Sequence, residues 1–285
     1  MRVTKKAYAK VNLALNVFNK TECGYHELDS LVVTVDLFDK VTLISRKDKK
    51  VNLKVPGFGG YANTFVKEKD NAYKAALAYI NESGCNGVDI ILKKNIPLSS
   101  GMGGSSTCAA ATLLAMEEIY GCGVNLEKLA NQLGSDTAYL LKGGYARLNG
   151  RGEKITWLNM NQNLQMLAVF VGSGVDTTEC FATFDKMPKS ADNSDINALI
   201  NSIESGEMLY SECKNTLTNS AMAINSELKN CFNIAKGLSP NACFMTGSGS
   251  TIIVMFETTE LLLWAQEKFY SEGYKCKILK TYIPE

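Results

Sequence analysis

The chain has 285 residues, a length that suits one large domain or two of ordinary size. It is 46% hydrophobic and 21% charged, which is typical of a soluble globular protein with a sizeable core. Its 30 basic and 29 acidic residues leave a net charge of +1, which gives no electrostatic indication of binding to nucleic acid or to an anionic membrane. No apolar run approaches the roughly 18 residues of a membrane span, and residues 1–20 lack the apolar segment of a signal peptide.

The nine cysteines are scattered along the chain, and no two of them form a CxxC pair. This distribution favours reduced thiols over a disulfide framework or a zinc site. We therefore expect a cytoplasmic protein whose cysteines supply no metal ligands.

The predicted elements begin with strands. Residues 2–18 alternate as a strand does, with Lys10 and Asn12 on one face, and a second β-rich stretch at 28–45 follows the loop at 19–27. Residues 45–62 predict a further strand bounded by turns. Helical spacing at 70–82 then precedes a short strand at 88–94.

The next segment, PLSSGMGGSSTCAAA at 97–111, sets three glycines and several hydroxyl side chains before an alanine-rich helix. Such a helix start can bind a phosphate, because its first N–H groups lack internal partners. Considered alone, the segment is more typical of a surface loop in which Ser105 or Ser106 caps the helix. It is not a P-loop, because no lysine lies between Lys94 and Lys128, and it lacks the third glycine of the dinucleotide fingerprint.

A short helix follows, with Asn125 as its predicted N-cap and Gly134 as its end. Asp136 then begins another helix that ends at Gly143 or Gly144, and an N-cap role and a chemical role are both open for it. The Asn-Gly-Arg-Gly stretch at 149–152 predicts a hairpin with a type I′ turn. Polar residues at 157–163 suggest a boundary between two domains, 1–160 and 161–285.

The second half alternates strands with helices. Strands are predicted at 164–172, 242–247, 251–256 and 274–283, and a second glycine loop, GSGS, occupies 247–250. Helices are predicted after residue 176 and at 194–206, 220–236 and 258–273. The pattern indicates an α+β fold with a sheet covered by helices.

The order of these motifs resembles the GHMP kinase superfamily of ATP-dependent small-molecule kinases over essentially the whole chain. The resemblance is carried by Lys10 and Asn12, by PLSSGMGGSST, by GSD at 134–136 and by MTGSGS at 245–250. Within the superfamily, AKVNLALNVFNKTECGYHELDSL, GSDTAYLL and GVDTTECF are similar to kinases of the non-mevalonate isoprenoid pathway. Those kinases phosphorylate the 2-hydroxyl of a cytidine-diphosphate-linked methylerythritol. The implied fold has an N-terminal ribosomal protein S5 domain 2-like ATP-binding domain and a C-terminal ferredoxin-like domain.

The resemblance also implies ATP, Mg²⁺ and a set of catalytic residues. Asp136 would orient or deprotonate the attacking hydroxyl, and Lys10 would keep Asp136 ionised and neutralise charge on the transferring group, with Asn12 as a polar contact beside them. The hydroxyls of Ser106 and Thr107 would reach Mg²⁺. The residues implied to contact the nucleotide are Asn71, Lys94, Pro97, Ser100, Gly101, Gly103, Gly104, Ser105, Ser106 and Thr107.

A cytosine site is implied at the only histidine, His26. Tyr25 would stack on the base, the imidazole of His26 would form a hydrogen bond with it, and Phe181 would face it from the second domain. A cap or core role for His26 is also open. Gly247 and Ser248 would border the substrate's phosphates, or they form a tight turn between two strands.

The sequence departs from the kinases of the isoprenoid pathway at several positions, so other functions stay open. Ser105 stands where a third consecutive glycine is expected, and Cys108 stands at an expected polar position. A GHMP kinase for a homoserine- or mevalonate-like alcohol is therefore open, as is a non-catalytic metabolite sensor. Phe181 with the GYH segment favours the cytidine substrate, and Lys10 with Asp136 favours an enzyme. The expected partner is a small molecule, not nucleic acid or a membrane, and the expected state is a monomer or a homodimer.

Overall fold

The computed structural model describes residues 1–21, 24–56, 66–188 and 192–284, and the chain forms two compact units. The first unit comprises Met1–Ala9, Leu37–Ile96 and Gly103–Gly143, and the second comprises Lys10–Asp36, Pro97–Met102 and Gly144–Glu285. The molecule is α+β, as the sequence predicts. Because the two units alternate along the chain, the domain boundary at 160/161 stays a prediction. Within the described residues, every helix is too short or too polar to cross a membrane.

The first unit combines strands with a layer of helices. Strands β1 (Arg2–Lys20) and β2 (His26–Ser45) pair with each other and contribute residues to both units. Here the end of β2 pairs antiparallel with β4 (Val88–Lys93), and β3 (Val51–Lys54) pairs parallel with β4. Four helices follow: α1 (Asn71–Ser83), α2 (Gly104–Tyr120), α3 (Leu126–Leu133) and α4 (Thr137–Leu140). Helix α1 packs against α2, which also buries alanines at 109–111.

Helix ends in this unit follow local signals. Asp70 caps α1, and Asn125 caps α3 as predicted, with its Oδ1 2.9 Å from the amide nitrogen of Lys128. Gly134 ends α3, also as predicted. The strand predicted within 45–62 is β3, and residues 57–62 of that prediction lie outside the described residues.

The second unit contains a hairpin and an antiparallel sheet. The hairpin consists of β5 (Ala146–Gly150) and β6 (Lys154–Trp157), and β5 also pairs with the start of β2. The strands β7 (Gln165–Phe170), β8 (Ala242–Met245), β9 (Ile252–Met255) and β10 (Lys275–Lys280) form a sheet in the order β10-β7-β9-β8. The helices are α5 (Thr177–Lys186), α6 (Ile196–Ser205), α7 (Thr218–Ile224), α8 (Ser226–Gly237) and α9 (Thr259–Ser271).

One face of this sheet forms a core with the helices. Leu167 and Val169 of β7 alternate with residues of the opposite face, as the two-residue period of a strand dictates. With Val254 of β9 they belong to one buried cluster that also includes Leu228 of α8 and Phe269 of α9. The apolar strands and amphipathic helices thus bury their faces against each other.

Two local predictions in this unit are wrong. The hairpin exists, but Asn149 pairs with Lys154, so four residues separate the last pair of the hairpin and the turn is not a two-residue type I′ turn. The helix predicted at 220–236 is two helices, because the backbone at Asn225 is extended. The side chain of Asn225 starts α8 anew by accepting a hydrogen bond from the amide of Leu228 at 2.8 Å.

Candidate active site

The predicted site residues are divided between the two units. The first unit holds Asn71, Lys94, Gly103, Gly104, Ser105, Ser106, Thr107 and Asp136. The second unit holds Lys10, Asn12, Tyr25, His26, Pro97, Ser100, Gly101, Phe181, Gly247 and Ser248.

In the first unit, α2 begins at Gly104 after an N-cap residue, Gly103, with φ of +74°. Glycine adopts this left-handed conformation without the penalty that a Cβ brings. No side chain among the described residues caps α2, so an N-cap role for Ser105 or Ser106 is wrong. The helix has 17 residues and carries the positive end of its dipole at this uncapped terminus. An anion bound here would satisfy the first N–H groups of the helix.

The GSD motif lies against the start of α2. A methyl group added to Gly134 would lie 3.3 Å from Oγ1 of Thr137 and 3.6 Å from Oγ of Ser106. That Thr137 hydroxyl is buried and, within the described residues, lacks a hydrogen-bond partner. Asp136 occupies the N-cap position of α4, but its side chain forms no capping hydrogen bond there, and its chemical role stays a prediction. Gly134 of the GSD motif thus lies near the hydroxyls of Ser106 and Thr137, and Asp136 of the same motif is half-buried.

Lys94 forms a buried ion pair with Asp39 in the same unit. Oδ1 of Asp39 also accepts hydrogen bonds from the backbone amides of residues 95 and 96 at 2.6 and 2.9 Å, and Lys94 reaches the carbonyl oxygen of Gly104 at 3.3 Å. Burial alone would lower the pKa of Lys94, but its surroundings, Cys108 and Asp39, raise it above its ordinary value. Burial raises the pKa of the Cys108 thiol to about 12, so this thiol stays protonated at neutral pH. The ion pair between Lys94 and Asp39 stabilises the segment before the glycine loop. A contact between Lys94 and adenine stays a prediction.

In the second unit, Lys10 and Asn12 lie on one face of β1, as predicted, and are only 4% and 5% exposed. The amine of Lys10 donates to Oδ1 of Asn12 at 2.5 Å. The same oxygen accepts from the amide of Gly247 at 3.1 Å and from the hydroxyl of Thr246 at 3.4 Å, and Nδ2 of Asn12 donates to Oγ of Ser30 at 2.8 Å. Asn12 thus holds the amine of Lys10 in place, and its own contact with a substrate stays a prediction.

Residues 97–102 of the first glycine loop pack against the turn at 246–251. A methyl group on Gly101 would lie 2.1 Å from the carbonyl oxygen of Thr246, and one on Gly247 would lie 2.6 Å from the carbonyl oxygen of Gly101. The amide of Lys10 donates to the carbonyl oxygen of Met102 at 3.0 Å. The turn between two strands that the sequence left open for Gly247 and Ser248 is therefore present.

His26 is buried against α5. Its ring centroid lies 5.2 Å from that of Phe181, and its Nδ1 lies 2.6 Å from the carbonyl oxygen of Phe18. Nε2 lies 3.0 Å from Oδ1 of Asp185 without hydrogen-bond alignment, and Lys20 pairs with the other oxygen of that carboxylate. The imidazole is thus engaged within the unit, and its hydrogen bond with a cytosine stays a prediction.

Tyr25 precedes His26 and has a 56% exposed side chain. The guanidinium of Arg151 lies over its ring at 4.7 Å from the centroid, a cation–π contact. An exposed aromatic ring beside a cation suits a planar base that carries phosphate groups.

The sequence reasoning missed several of these residues. A signal existed for two of them, because Ser30 and Asp39 are polar residues inside the apolar stretch of β2. No local signal marked Thr246, Asp185 or Arg151, whose partners lie far away along the chain.

Within the described residues, no cluster of three or more His, Cys, Asp or Glu side chains could hold a metal ion. Mg²⁺ in phosphoryl-transfer sites is usually held by one or two carboxylates, water and the substrate's phosphates. The carboxylate of Asp136 and the hydroxyls of Ser106 and Thr137 are hard oxygen donors of that kind. They fit an ion held mainly by phosphates.

Residues 70–145, which include the glycine loop and the GSD motif, match the GHMP kinases N terminal domain. The crystal structure of a homoserine kinase from Cytophaga hutchinsonii shares the fold, with a TM-score of 0.77 and 18% identity over 99% of this chain and 95% of that one. The fold and the site thus define a small-molecule kinase of the GHMP type.

Relatives that match nearly the whole chain show which family of GHMP kinases it belongs to. A protein of Clostridium perfringens named 4-diphosphocytidyl-2-C-methyl-D-erythritol kinase is 33% identical over 98% of this chain and 96% of its own length. One of the same name from Clostridium beijerinckii is 34% identical over 88% of this chain and 90% of its own. A crystal structure of 4-(cytidine 5'-diphospho)-2C-methyl-D-erythritol kinase has a TM-score of 0.81 and 28% identity, and the match covers 98% of both chains. The chain therefore belongs to the 4-diphosphocytidyl-2-C-methyl-D-erythritol kinase family.

Proposed function

We propose that this chain transfers the γ-phosphoryl group of ATP to the tertiary 2-hydroxyl of 4-diphosphocytidyl-2-C-methyl-D-erythritol in the cytoplasm. The observation that carries the proposal is 33% identity to a relative of that name over 98% of the chain. The presence of Lys10 and Asp136 supports an enzyme over a metabolite sensor. The exposed ring of Tyr25 and the aromatic cluster around His26 support a base-bearing substrate over homoserine or mevalonate.

Phosphoryl transfer depends mainly on positioning and on charge stabilisation. Asp136 would accept the proton of the attacking hydroxyl, and its place in the GSD motif, beside the start of α2, supports this role. Lys10 would neutralise charge on the transferring group, and its fixed amine supports that role.

The nucleotide's phosphates would bind at the uncapped start of α2, through the amides of residues 104–106. Ser106 would help to hold Mg²⁺, with Asp136 and Thr137 nearby in the first unit. When bound, Mg²⁺ neutralises the phosphate oxygens. Thr107 is buried, so its hydroxyl is a weaker candidate than that of Ser106.

The cytosine would stack on Tyr25 and meet Phe181, and Arg151 would approach the diphosphate that follows the base. A single chain carries all the residues proposed here for binding and catalysis, so a monomer or a homodimer could carry out the reaction.

A coupled assay of ADP release tests the proposal. The purified chain is given ATP, Mg²⁺ and, in separate reactions, the diphosphocytidyl methylerythritol, homoserine or mevalonate. We expect ADP release with the first alcohol only, and none from an Asp136→Asn variant. Release with another alcohol alone would refute the substrate and keep the kinase class, whereas no release with any of them would count against an enzyme.

A further inference from the structure

We infer that Ser30 is a positioning residue for phosphoryl transfer, which acts through Asn12 on Lys10. It selects the orientation of the Asn12 amide, so that the amide oxygen and not the nitrogen faces the amine of Lys10. The inference rests on the proposed role of Lys10 in the reaction.

The hydrogen bonds of Ser30 leave its hydroxyl only one role toward Asn12. Ser30 is fully buried on β2, and its Oγ donates to the carbonyl oxygen of Ala14 at 2.7 Å. A carbonyl oxygen accepts and never donates, so the hydroxyl proton is committed to Ala14. Toward Asn12, whose Nδ2 lies 2.8 Å away, the Ser30 oxygen can therefore only accept. Because the Ser30 oxygen can only accept, the Asn12 amide turns its NH₂ group, and not its oxygen, toward Ser30.

The opposite side of the amide is surrounded by donors. Oδ1 of Asn12 faces the ammonium of Lys10 at 2.5 Å and the amide of Gly247 at 3.1 Å. The Thr246 hydroxyl, which accepts from the backbone amide of Asn12 at 2.9 Å, adds a longer contact at 3.4 Å. A flipped amide would turn its N–H groups toward these donors and its oxygen toward a hydroxyl without a free proton.

Removal of the Ser30 hydroxyl would release this constraint. Nδ2 of Asn12 would lose its acceptor in a buried site, which is unfavourable, and the amide would be free to rotate. The amine of Lys10 would then lose Oδ1 of Asn12 as a fixed acceptor. Transition-state stabilisation depends on where that charge stands, so kcat should fall while substrate binding is largely kept.

The test compares the steady-state kinetics of Ser30→Ala with those of the unchanged protein. We expect kcat to fall about tenfold, which is about 1.4 kcal/mol, with KM for ATP and for the acceptor each changed by less than about twofold. Ser30→Thr keeps the hydroxyl and should recover kcat. A thiol is only a weak hydrogen-bonding group, so Ser30→Cys should also lower kcat. This variant tests the inference if Ser30→Ala folds poorly.

The matched control is Ser220→Ala. Ser220 is also fully buried in the second unit, and its hydroxyl donates to the carbonyl oxygen of Leu217, which precedes α7, at 2.8 Å. We expect this change to lower the melting temperature without lowering kcat. An equal fall in kcat in both variants would show that the Ser30 effect is only structural and would overturn the inference.

A Lys10→Met background separates this inference from the proposed function. If Ser30 acts through Lys10, adding Ser30→Ala to Lys10→Met should cause no further loss of kcat. Losses that multiply would overturn the positioning role. If Lys10→Met lowers kcat and Ser30→Ala does not, only the positioning role fails. If Lys10→Met leaves kcat unchanged, the proposed role of Lys10 fails as well.

Discussion

Gly101 lies against the backbone of Thr246 with no space for a side chain. A methyl group on Gly101 would lie 2.1 Å from the Thr246 carbonyl oxygen and 3.0 Å from backbone atoms of Gly249. A backbone oxygen cannot turn aside as the end of a flexible side chain can. The first glycine loop and the turn between β8 and β9 are thus held together by direct backbone contact.

Gly101→Ala should therefore be more harmful than an ordinary glycine substitution at positive φ. The matched control is Gly84→Ala, because Gly84 has nearly the same φ, +70° against +72°, and nothing within 4 Å of an added methyl group. We expect the control to lose about 1 kcal/mol of unfolding free energy from backbone strain. Gly101→Ala should lose about 1–3 kcal/mol more from overpacking. Urea unfolding measures both, and equal losses would contradict the contact.

Asp136→Asn should lower kcat by about 10²–10⁴-fold, the usual contribution of a general base. The affinity for ATP, measured by calorimetry, should stay nearly constant, because the change leaves the start of α2 intact. Asp48→Asn is the control, since Asp48 pairs with Arg46 on the surface of the same unit. Undiminished turnover in Asp136→Asn would remove this residue from the mechanism.

The ion pair between Lys94 and Asp39 should be important for stability. Asp39→Asn removes the negative partner of a buried ammonium, and such changes cost about 3–5 kcal/mol. Adding Lys94→Met to this variant should recover part of the loss, because no uncompensated charge would then be buried. Denaturant unfolding of the single and double variants checks both statements, and a single variant as stable as the original would refute them.

Asp185→Asn should weaken binding of the cytidine-bearing acceptor. Asp185 pairs with Lys20 and lies beside His26, whose ring contacts Phe181, so the change should disturb the contacts around this site. We expect KM for the acceptor to rise about fivefold, equivalent to about 1 kcal/mol, with KM for ATP unchanged. The control is Asp192→Asn, an exposed partner of Lys214. Equal rises in the two KM values would count against the assignment of this pocket to the base.

Glu227 gives a pH-dependent prediction. Hydrogen bonds from Ser173, through its hydroxyl at 2.5 Å and its amide, lower the pKa of Glu227 below its ordinary value. A lowered folded-state pKa stabilises the fold above the unfolded-state pKa, and this contribution is lost as the pH falls through the lowered value. The melting temperature of Glu227→Gln should therefore vary less than that of the original between about pH 5 and pH 3. Parallel curves for the two proteins would contradict the linkage.

The types and order of the elements were predictable, because hydrophobic periods and helix caps are local signals. The shared face of Lys10 and Asn12 followed from the two-residue period of a strand, and the caps at Asn125 and Gly134 followed from residue type. The α+β class and the kinase family are confirmed. The break at Asn225 was missed because helical spacing continues on both sides of it.

The partners of the site residues were not predictable, because tertiary pairing creates them. Asn12 meets Ser30 at a separation of 18 residues and Thr246 at 234, and Lys94 meets Asp39 at 55. Nothing local indicates that α2 lacks a side-chain cap while Ser105 and Ser106 stand at its start. The chemical roles of the site residues stay predictions that the variants above test.

The bond between Lys10 and Asn12 has a consequence for entropy. A lysine side chain loses about 1.5–2 kcal/mol of rotamer freedom when it is ordered. Here Asn12, a residue of the protein itself, holds the amine, so most of that loss accompanies folding. Each turnover then begins with the cation in place, and substrate binding energy is not consumed in ordering it.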